Sequence, residues 1–202
     1  MTGLPWQPSL FSGAEGHADL SFDGLERHAL DGRSWVDHVP GWLHSHDVLF
    51  ELLLREAPWR QRQRQIYDRV VDEPRLVVGY SDLAALPGRL EKIRAVLSAR
   101  YGVELDSVLV NLYRDGRDSV AWHRDTVRRL MPEPLVATVS LGHRRRFLVR
   151  PYGGGPTALR LTPGEGDLVV MGGLCQHEWE HTVPKEPRGA GARMSITLRH
   201  SP

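Results

Sequence analysis

The chain has 202 residues, of which 41% are hydrophobic and 25% are charged, and its formal net charge is +1. These proportions are ordinary for a soluble globular protein. No apolar run approaches the length of a membrane span, and the first thirty residues lack the basic start and hydrophobic centre of a signal peptide. We therefore expect one cytoplasmic domain, residues 1–202, with no membrane contact.

The cysteine content also agrees with a cytoplasmic protein. Cys175 is the sole cysteine, which rules out an internal disulfide and suits a reducing compartment. We expect it to be a small packed residue.

The first elements predicted along the chain are helical. Residues 1–40 show no strong apolar alternation and are predicted to be an irregular N-terminal extension. Residues 41–105 are predicted to be mainly helical. Leucines and aromatic residues predict one helix from Gly41 to Arg55, ended by Ala57-Pro58. A second predicted helix, from Gly88 to Arg100, carries its apolar residues on one face.

Residues 106–202 are predicted to be rich in strands, separated by Gly or Pro turns. This pattern is typical of an α+β, mainly β protein with a double-stranded β-helix, or jelly roll, and with the N-terminal helices buttressing one sheet. The strands are expected near Val108, Val136, Phe147, Leu159, Val169, Val183 and Ile196.

A candidate metal-ligand pair follows the first of these strands. Ser107 to Tyr113 alternates apolar and polar residues, a turn follows, and His123-Arg124-Asp125 comes next. In extended chain, residues two apart point to the same side, so His123 and Asp125 could share one metal. Chance alone gives roughly 0.6 His-x-Asp matches in this composition. His17-Ala18-Asp19, in a polar stretch, is expected to be such an accident.

A third ligand is expected after the buried strand Asp167 to Met171. His177 and His181 are the candidates, and we prefer His181 because Thr182-Val183-Pro184 gives it an extended, partly apolar setting. Two imidazoles and one carboxylate leave coordination positions open, which is typical of non-haem Fe(II) oxygenases.

The last predicted strand carries candidate anion ligands. Arg193, Ser195, Thr197 and Arg199 alternate with apolar residues, so they share one strand face. Arginine pairs bidentately with carboxylates, which makes a dicarboxylate the natural guest. The alternative is an edge strand with a solvated polar face.

In their order, these residues resemble the AlkB family of Fe(II)- and 2-oxoglutarate-dependent dioxygenases, which repair alkylated nucleobases. The resemblance runs from about Pro74 to Arg199. Besides the residues above, it rests on Pro74-Arg75, Tyr80-Ser81-Asp82, Asn111-Leu112-Tyr113, Asp115-Gly116, Ser140-Leu141-Gly142 with Arg145 and Phe147, and Gly166-Asp167 with Met171.

The resemblance implies an enzyme that uses Fe(II), 2-oxoglutarate and O2 to demethylate N-alkylated bases in DNA, releasing formaldehyde, succinate and CO2. It implies that His123, Asp125 and His181 bind iron. It also implies that 2-oxoglutarate is bound by Asn111, Tyr113, Arg193, Thr197 and Arg199. Residues 41–105 would then include the nucleotide-recognition region.

Substrate residues are less well defined by the sequence. Thr126 and Val127 stand where relatives close to the vertebrate enzymes often have acidic residues, and the aromatic hairpin expected near Leu83 is absent, so the target base is left open. Tyr80 is a candidate stacking partner for a flipped base. Arg145 is a candidate phosphate contact in the cluster Arg144, Arg145, Arg146 and Arg150. Other arginine clusters are Arg60, Arg62 and Arg64, and Arg128 and Arg129; solvated surface arginines are an equally good explanation of these clusters.

Two alternatives remain open at this stage, and we expect a monomer in each case. One is the same oxygenase core acting on RNA or on a non-nucleic substrate. The other is a catalytically silent jelly roll that binds nucleic acid or metal. The intact ligand set disfavours the second.

Overall fold

A computed structural model of the protein describes residues 18–19, 21–66, 68–80, 82–125, 131–186 and 189–200. Twelve strands and three α-helices lie in these ranges. The helices are α1 (His46–Glu56), α2 (Gly88–Tyr101) and α3 (Cys175–Glu178), and a 3-10 helix covers Leu83–Ala85. The strands are β1 (Glu26–Ala29), β2 (Ser34–Val39), β3 (Arg60–Ile66), β4 (Arg69–Tyr80), β5 (Ser107–Tyr113), β6 (Val120–His123), β7 (Val136–Gly142), β8 (Phe147–Pro151), β9 (Leu159–Leu161), β10 (Leu168–Gly173), β11 (Trp179–Val183) and β12 (Arg193–Arg199).

The strands form two antiparallel sheets. The larger sheet has the order β1-β2-β10-β7-β12-β5-β4-β3, and the smaller has the order β6-β11-β8-β9. β12 lies between β7 and β5, with Ser195 opposite both Ser140 and Asn111. A polar row therefore crosses the middle of the larger sheet.

Helices α1 and α2 cover one face of the larger sheet. Leu49, Phe50 and Leu53 of α1 recur at helical spacing, and so do the buried residues of α2. They pack against the apolar residues of β5, β7 and β12 in one hydrophobic cluster. α2 ends at Gly102, whose φ of 67° is a left-handed conformation that glycine adopts without strain.

The opposite face of the larger sheet meets the smaller sheet. A second buried cluster joins Val136 and Met171 of the larger sheet to Phe147 and Val149 of the smaller one. Cys175 is buried in the same cluster, as the sequence predicts, and burial raises the pKa of its thiol to about 12. The predicted jelly roll with helices against one sheet is thus confirmed.

Two parts of the predicted organisation are wrong in detail. β1 and β2 lie within residues 1–40, which were predicted to be irregular. The sequence shows no regular apolar and polar alternation there, because the polar residues Asp37 and His38 of β2 are largely enclosed. Asp37 accepts a hydrogen bond from Arg27. The β3–β4 hairpin was also missed, because its first strand, Arg-Gln-Arg-Gln-Arg-Gln-Ile, has exposed polar residues on both faces.

The predicted helices are both present, with a shift at one end. α1 begins at His46 rather than Gly41, because Gly41 and Ser45 have positive φ values and form turns. Among the described helices, none is both long enough and apolar enough to cross a membrane.

Candidate metal centre and anion site

Three potential metal ligands converge between the two sheets. His123 at the end of β6 lies directly opposite His181 of β11, and Asp125 follows two residues after β6. One ligand atom from each of the three lies within 4.8 Å of the others. The pairing is irregular between His181 and Val183, and such a bulge changes the direction in which a side chain points.

Hydrogen bonds orient the first imidazole. Nδ1 of His123 lies 2.9 Å from the carbonyl oxygen of Ala121 and 3.1 Å from that of His181. A proton on Nδ1 can therefore be donated to a carbonyl, which leaves the lone pair of Nε2 for a metal. Phe147 stacks on His181 with ring centroids 5.3 Å apart, and so fixes the second imidazole.

The protonation states suit a divalent cation. Burial, aided by the neighbouring His123, lowers the pKa of His181 to about 3, so this imidazole is neutral. Burial alone would raise the pKa of Asp125, but Arg199 and the two imidazoles hold it below its ordinary value, so this carboxylate is ionised. Neutral imidazoles and an ionised carboxylate are the forms that bind metals.

A second layer of side chains holds Asp125. Arg199 donates to Oδ1 of Asp125 from Nη2 at 2.6 Å and from Nε at 3.0 Å. Oδ2 lies 3.6 Å from Nε2 of His181. The backbone N–H of Asp125 donates to Oε1 of Gln176 at 2.9 Å, so both the backbone and the carboxylate are fixed.

A buried guanidinium lies beside this cluster. Arg193 is 1% exposed, and its Nη2 donates to Oγ of Ser140 at 2.8 Å, while Nε and Nη1 have no hydrogen-bond partner. Burial lowers the pKa of Arg193, but an arginine remains charged at neutral pH. Arg193 forms no salt bridge with any residue that the structure describes. Such a buried cation with two unsatisfied donors calls for an anionic guest.

The ligand cluster and Arg193 share one cavity of about 230 Å³. Asn111 and Tyr113 project into it from β5, and Thr197 lies on the same face of β12 as Arg193 and Arg199. Asn111 donates to Oγ of Ser195 and accepts a hydrogen bond from Nε of Arg75 at 3.1 Å. All the residues for which an iron or 2-oxoglutarate role was predicted therefore line this cavity.

The rejected histidines lie elsewhere. His177 sits on α3, and its Nε2 contacts the carbonyl oxygen of Met131 at 2.8 Å, so it is not part of the cluster. The decoy His17 lies outside the described residues, as do Thr126 and Val127, the positions where the sequence departs from relatives, and the pair Arg128 and Arg129.

Arg145 does not face this cavity, which corrects the expectation that it contacts substrate. It is 1% exposed, and it donates to the carbonyl oxygens of Asp115, Asp118 and Pro184 at 2.8 to 3.0 Å. It therefore ties the turn after β5 to the segment after β11. The sequence could not show this burial, because an arginine next to other arginines is expected to be a surface residue.

Tyr80 is not among the residues that line the cavity of the metal ligands. Its strand neighbours Val78 and Leu76 face the helices, and Tyr80 packs against the same hydrophobic cluster. It lines a neighbouring cavity of about 670 Å³ that Arg62 and Arg199 also reach. Stacking of a flipped base on Tyr80 stays a prediction.

Two supporting residues were missed from the sequence. Gln176 and Ser140 hold Asp125 and Arg193, respectively. Ser140 stands in a recognisable strand, but no spacing rule relates either residue to its partner, because each contact joins distant parts of the chain.

The site and fold can now be compared with known proteins. Residues 73–199 match the sequence family described as the 2OG-Fe(II) oxygenase superfamily, and the chain belongs to this family. Family membership implies Fe(II), 2-oxoglutarate and O2 as cofactor and co-substrates. The residues fit these groups, since a His-Asp-His cluster and an unpaired buried guanidinium share one cavity.

Its relatives include AlkB homologues, as the motifs predict. The chain is 31% identical over 190 residues to alpha-ketoglutarate-dependent dioxygenase alkB homolog 3 of Bos taurus, covering 83% of this chain and 66% of that protein. It is 29% identical to the DNA oxidative demethylase ALKBH2 of Arabidopsis thaliana, covering 75% and 61%, respectively. The chain thus spans slightly less than two thirds of these relatives. A solved structure, "The structure of OsALKBH1", shares the fold with a TM-score of 0.62 at 14% identity, covering 87% of this chain and all of that one.

Proposed function

We propose that this protein is an Fe(II)- and 2-oxoglutarate-dependent dioxygenase that oxidatively demethylates N-alkylated bases in DNA. The observation that carries the proposal is that His123, Asp125 and His181 share a cavity with the unpaired guanidinium of Arg193. Similarity to an alkB homolog 3 and to a DNA oxidative demethylase supports the choice of substrate.

In this proposal His123, Asp125 and His181 hold the iron. When bound, Fe(II) with O2 and 2-oxoglutarate supplies the oxidation of an N-methyl group, whose carbon leaves as formaldehyde, while 2-oxoglutarate becomes succinate and CO2. Arg199 keeps Asp125 ionised and fixed in direction, and Gln176 holds its backbone. Three ligands from the protein leave coordination positions for the co-substrates.

Arg193 binds the 2-oxoglutarate carboxylate that is distant from the metal. Its Nε and Nη1 are buried without partners, so a carboxylate there gains charge-assisted hydrogen bonds and removes a desolvation penalty. Asn111, Tyr113 and Thr197 line the cavity and bind the same co-substrate. The enclosed position also keeps water away from the keto acid.

A row of unpaired arginines supports a nucleic-acid substrate. Arg60, Arg62 and Arg64 are exposed on β3, the edge strand of the larger sheet, and none forms an ion pair with a described residue. Alternate residues of a regular strand lie about 7 Å apart on one side. Although the β3–β4 pairing is irregular between Gln61 and Gln63, the three arginines follow one another along the exposed edge of the sheet, and we call them the arginine track. Arg62 also lines the cavity of the metal ligands, which connects the track to the site. Arginine binds phosphate through its planar fork.

Product analysis tests this function. The protein, with Fe(II), ascorbate and 2-oxoglutarate, is incubated with oligonucleotides that carry N-methylated bases and with matched unmethylated ones. Formaldehyde and succinate should form in equal amounts with methylated DNA, and not with the His123→Ala variant. Succinate without formaldehyde on any methylated DNA or RNA would favour a non-nucleic substrate. Formaldehyde formed with methylated RNA but not with methylated DNA would show that RNA is the substrate. Neither product from the iron-loaded protein would indicate a silent jelly roll.

A further inference from the structure

A second cluster of metal-binding side chains lies at the other end of the larger sheet. Glu26 and His28 are two residues apart on β1, and His38 stands opposite Glu26 on β2. Side chains in these positions project from the same face of the strands. One ligand atom from each of the three lies within 4.8 Å of the others.

Both imidazoles of this cluster have a shielded nitrogen without a hydrogen bond. Nε2 of His28 and Nε2 of His38 are removed from solvent and have no hydrogen-bond partner. The carboxylate nearest to Nε2 of His28 is Glu26, at 4.0 Å, and the carboxylate nearest to Nε2 of His38 is Asp167, at 3.6 Å. Buried polar atoms are nearly always satisfied, so these two nitrogens, each near a carboxylate but without a hydrogen bond to it, need an explanation.

Charge pairing on the two faces of the β1–β2 pair differs. On the face towards α2, Arg27 donates to Asp37 with two hydrogen bonds, and Tyr101 donates to the same carboxylate, so that face is neutralised within the protein. On the other face, Glu26 forms no ion pair with an arginine or lysine among the described residues. The carboxylate of Glu26 is therefore available to a cation.

We propose that Glu26, His28 and His38 form a second metal site, selective for a divalent transition ion of the Zn²⁺ type. Two imidazoles and one carboxylate are a known ligand set for Zn²⁺, whereas Mg²⁺ and Ca²⁺ prefer oxygen ligands. The carboxylate of Asp167, whose Oδ2 lies 3.6 Å from Nε2 of His38, adds negative charge beside this site. The bound ion would join β1, which is an edge strand of the larger sheet in the described part of the chain, to β2.

Binding of Co²⁺ as a spectroscopic substitute for Zn²⁺ tests the site separately from catalysis. The background variant His123→Ala/Asp125→Ala disables the first cluster. Metal-free protein in this background should still bind one equivalent of Co²⁺, with the visible absorption of a nitrogen- and oxygen-ligated ion, and Zn²⁺ should displace it. Adding His28→Gln should weaken binding by about 100-fold or more, and adding Glu26→Gln should weaken it by about 10-fold or more.

Matched controls separate this site from adventitious binding. His143→Gln, which changes an exposed histidine outside both clusters, should leave the single equivalent unchanged. Zn²⁺ should raise the Tm of the background variant and slow amide exchange in β1, and His28→Gln should abolish both effects. The proposal is overturned if the background variant binds no Co²⁺, or if its Co²⁺ is insensitive to both His28→Gln and Glu26→Gln.

Discussion

Arg199 and Asp125 are joined by two hydrogen bonds to one carboxylate oxygen, at 2.6 and 3.0 Å. The second oxygen of Asp125 faces His181. The guanidinium therefore occupies one side of the carboxylate and leaves the other directed at the imidazoles. Arg199 stands at the end of the strand that also carries Arg193, so a single strand connects the candidate metal ligands with the candidate carboxylate site.

Removal of this contact should weaken metal binding. In Arg199→Met, Asp125 loses its fixed orientation and the charge that keeps its pKa low, so the Kd for Fe(II) should rise by about 10- to 100-fold. Arg199→Lys retains the positive charge but not the second hydrogen-bond donor, so its Kd for Fe(II) should lie between those of the unchanged protein and Arg199→Met. Anaerobic metal titration measures this. An unchanged Kd in Arg199→Met would show that the contact has no role in metal binding.

Arg193 should control the affinity for 2-oxoglutarate and not that for iron. Hydrogen bonds to a charged group contribute about 1.5 to 3 kcal/mol each when sheltered, so Arg193→Met should raise the KM for 2-oxoglutarate by about 10- to 100-fold or more. Ser140→Ala, which removes the hydrogen bond from Nη2 of Arg193 to Ser140, should raise KM only several-fold. Steady-state kinetics with varied 2-oxoglutarate gives both values. A parallel rise in the Kd for Fe(II) would assign Arg193 to folding of the site instead.

The two nearby histidines should behave differently. His181→Gln removes a member of the cluster and should abolish stoichiometric metal binding and turnover, whereas His177→Gln should retain both, since the His177 side chain is hydrogen-bonded to the carbonyl oxygen of Met131 and lies outside the cluster. Metal content after dialysis and the rate of succinate formation distinguish them. Equal losses in both variants would contradict the assignment of His181 as the third ligand.

Arg145 should act on stability and not on substrate affinity. Arg145→Met removes the donor to the carbonyl oxygens of Asp115, Asp118 and Pro184 and the cation beside Glu186, which we expect to lower the free energy of unfolding by about 3 kcal/mol. Urea denaturation measures the loss. Arg160→Gln, at an exposed arginine of β9, serves as the control and should change little. If Arg145→Met had unchanged stability and bound DNA more weakly, Arg145 would be a substrate contact after all.

The arginine track on β3 should be visible in the salt dependence of binding. Each phosphate contact with a single strand contributes about 0.7 to the slope of log K against log salt concentration, so the triple change Arg60→Gln, Arg62→Gln, Arg64→Gln should reduce the slope by about 2. Arg160→Gln again provides a comparison, with no change expected. Binding of a fluorescent oligonucleotide at several salt concentrations gives the slopes. A triple variant with an unaltered slope would place the phosphates elsewhere.

The sequence predicts the catalytic half of the fold better than the N-terminal half, for a physical reason. Strands such as β7 and β12 alternate apolar and polar side chains, or are wholly apolar, and their boundaries follow from that pattern. β2 breaks the pattern because its acidic residue Asp37 is buried. β3 breaks it because this edge strand is exposed on both sides. Only tertiary pairing makes either a strand.

The residues of the candidate site also differ in how far the sequence could predict them. His123, Asp125 and the alternating arginines of β12 could be selected from spacing along a strand, since residues two apart share a face. Choosing between His177 and His181 required the apolar setting of the latter. Arg145 was misplaced because its burial depends on distant segments, such as the chain after β11. The surroundings of Tyr80 likewise depend on the hydrophobic cluster that the helices form with the larger sheet.

A crystal structure of the protein with Mn(II) and 2-oxoglutarate, prepared without oxygen, tests the central claim most directly. We predict manganese bound by His123, Asp125 and His181, with the distal carboxylate of 2-oxoglutarate on Nε and Nη1 of Arg193. Manganese on any other set of side chains, or the keto acid bound away from Arg193, would contradict the account.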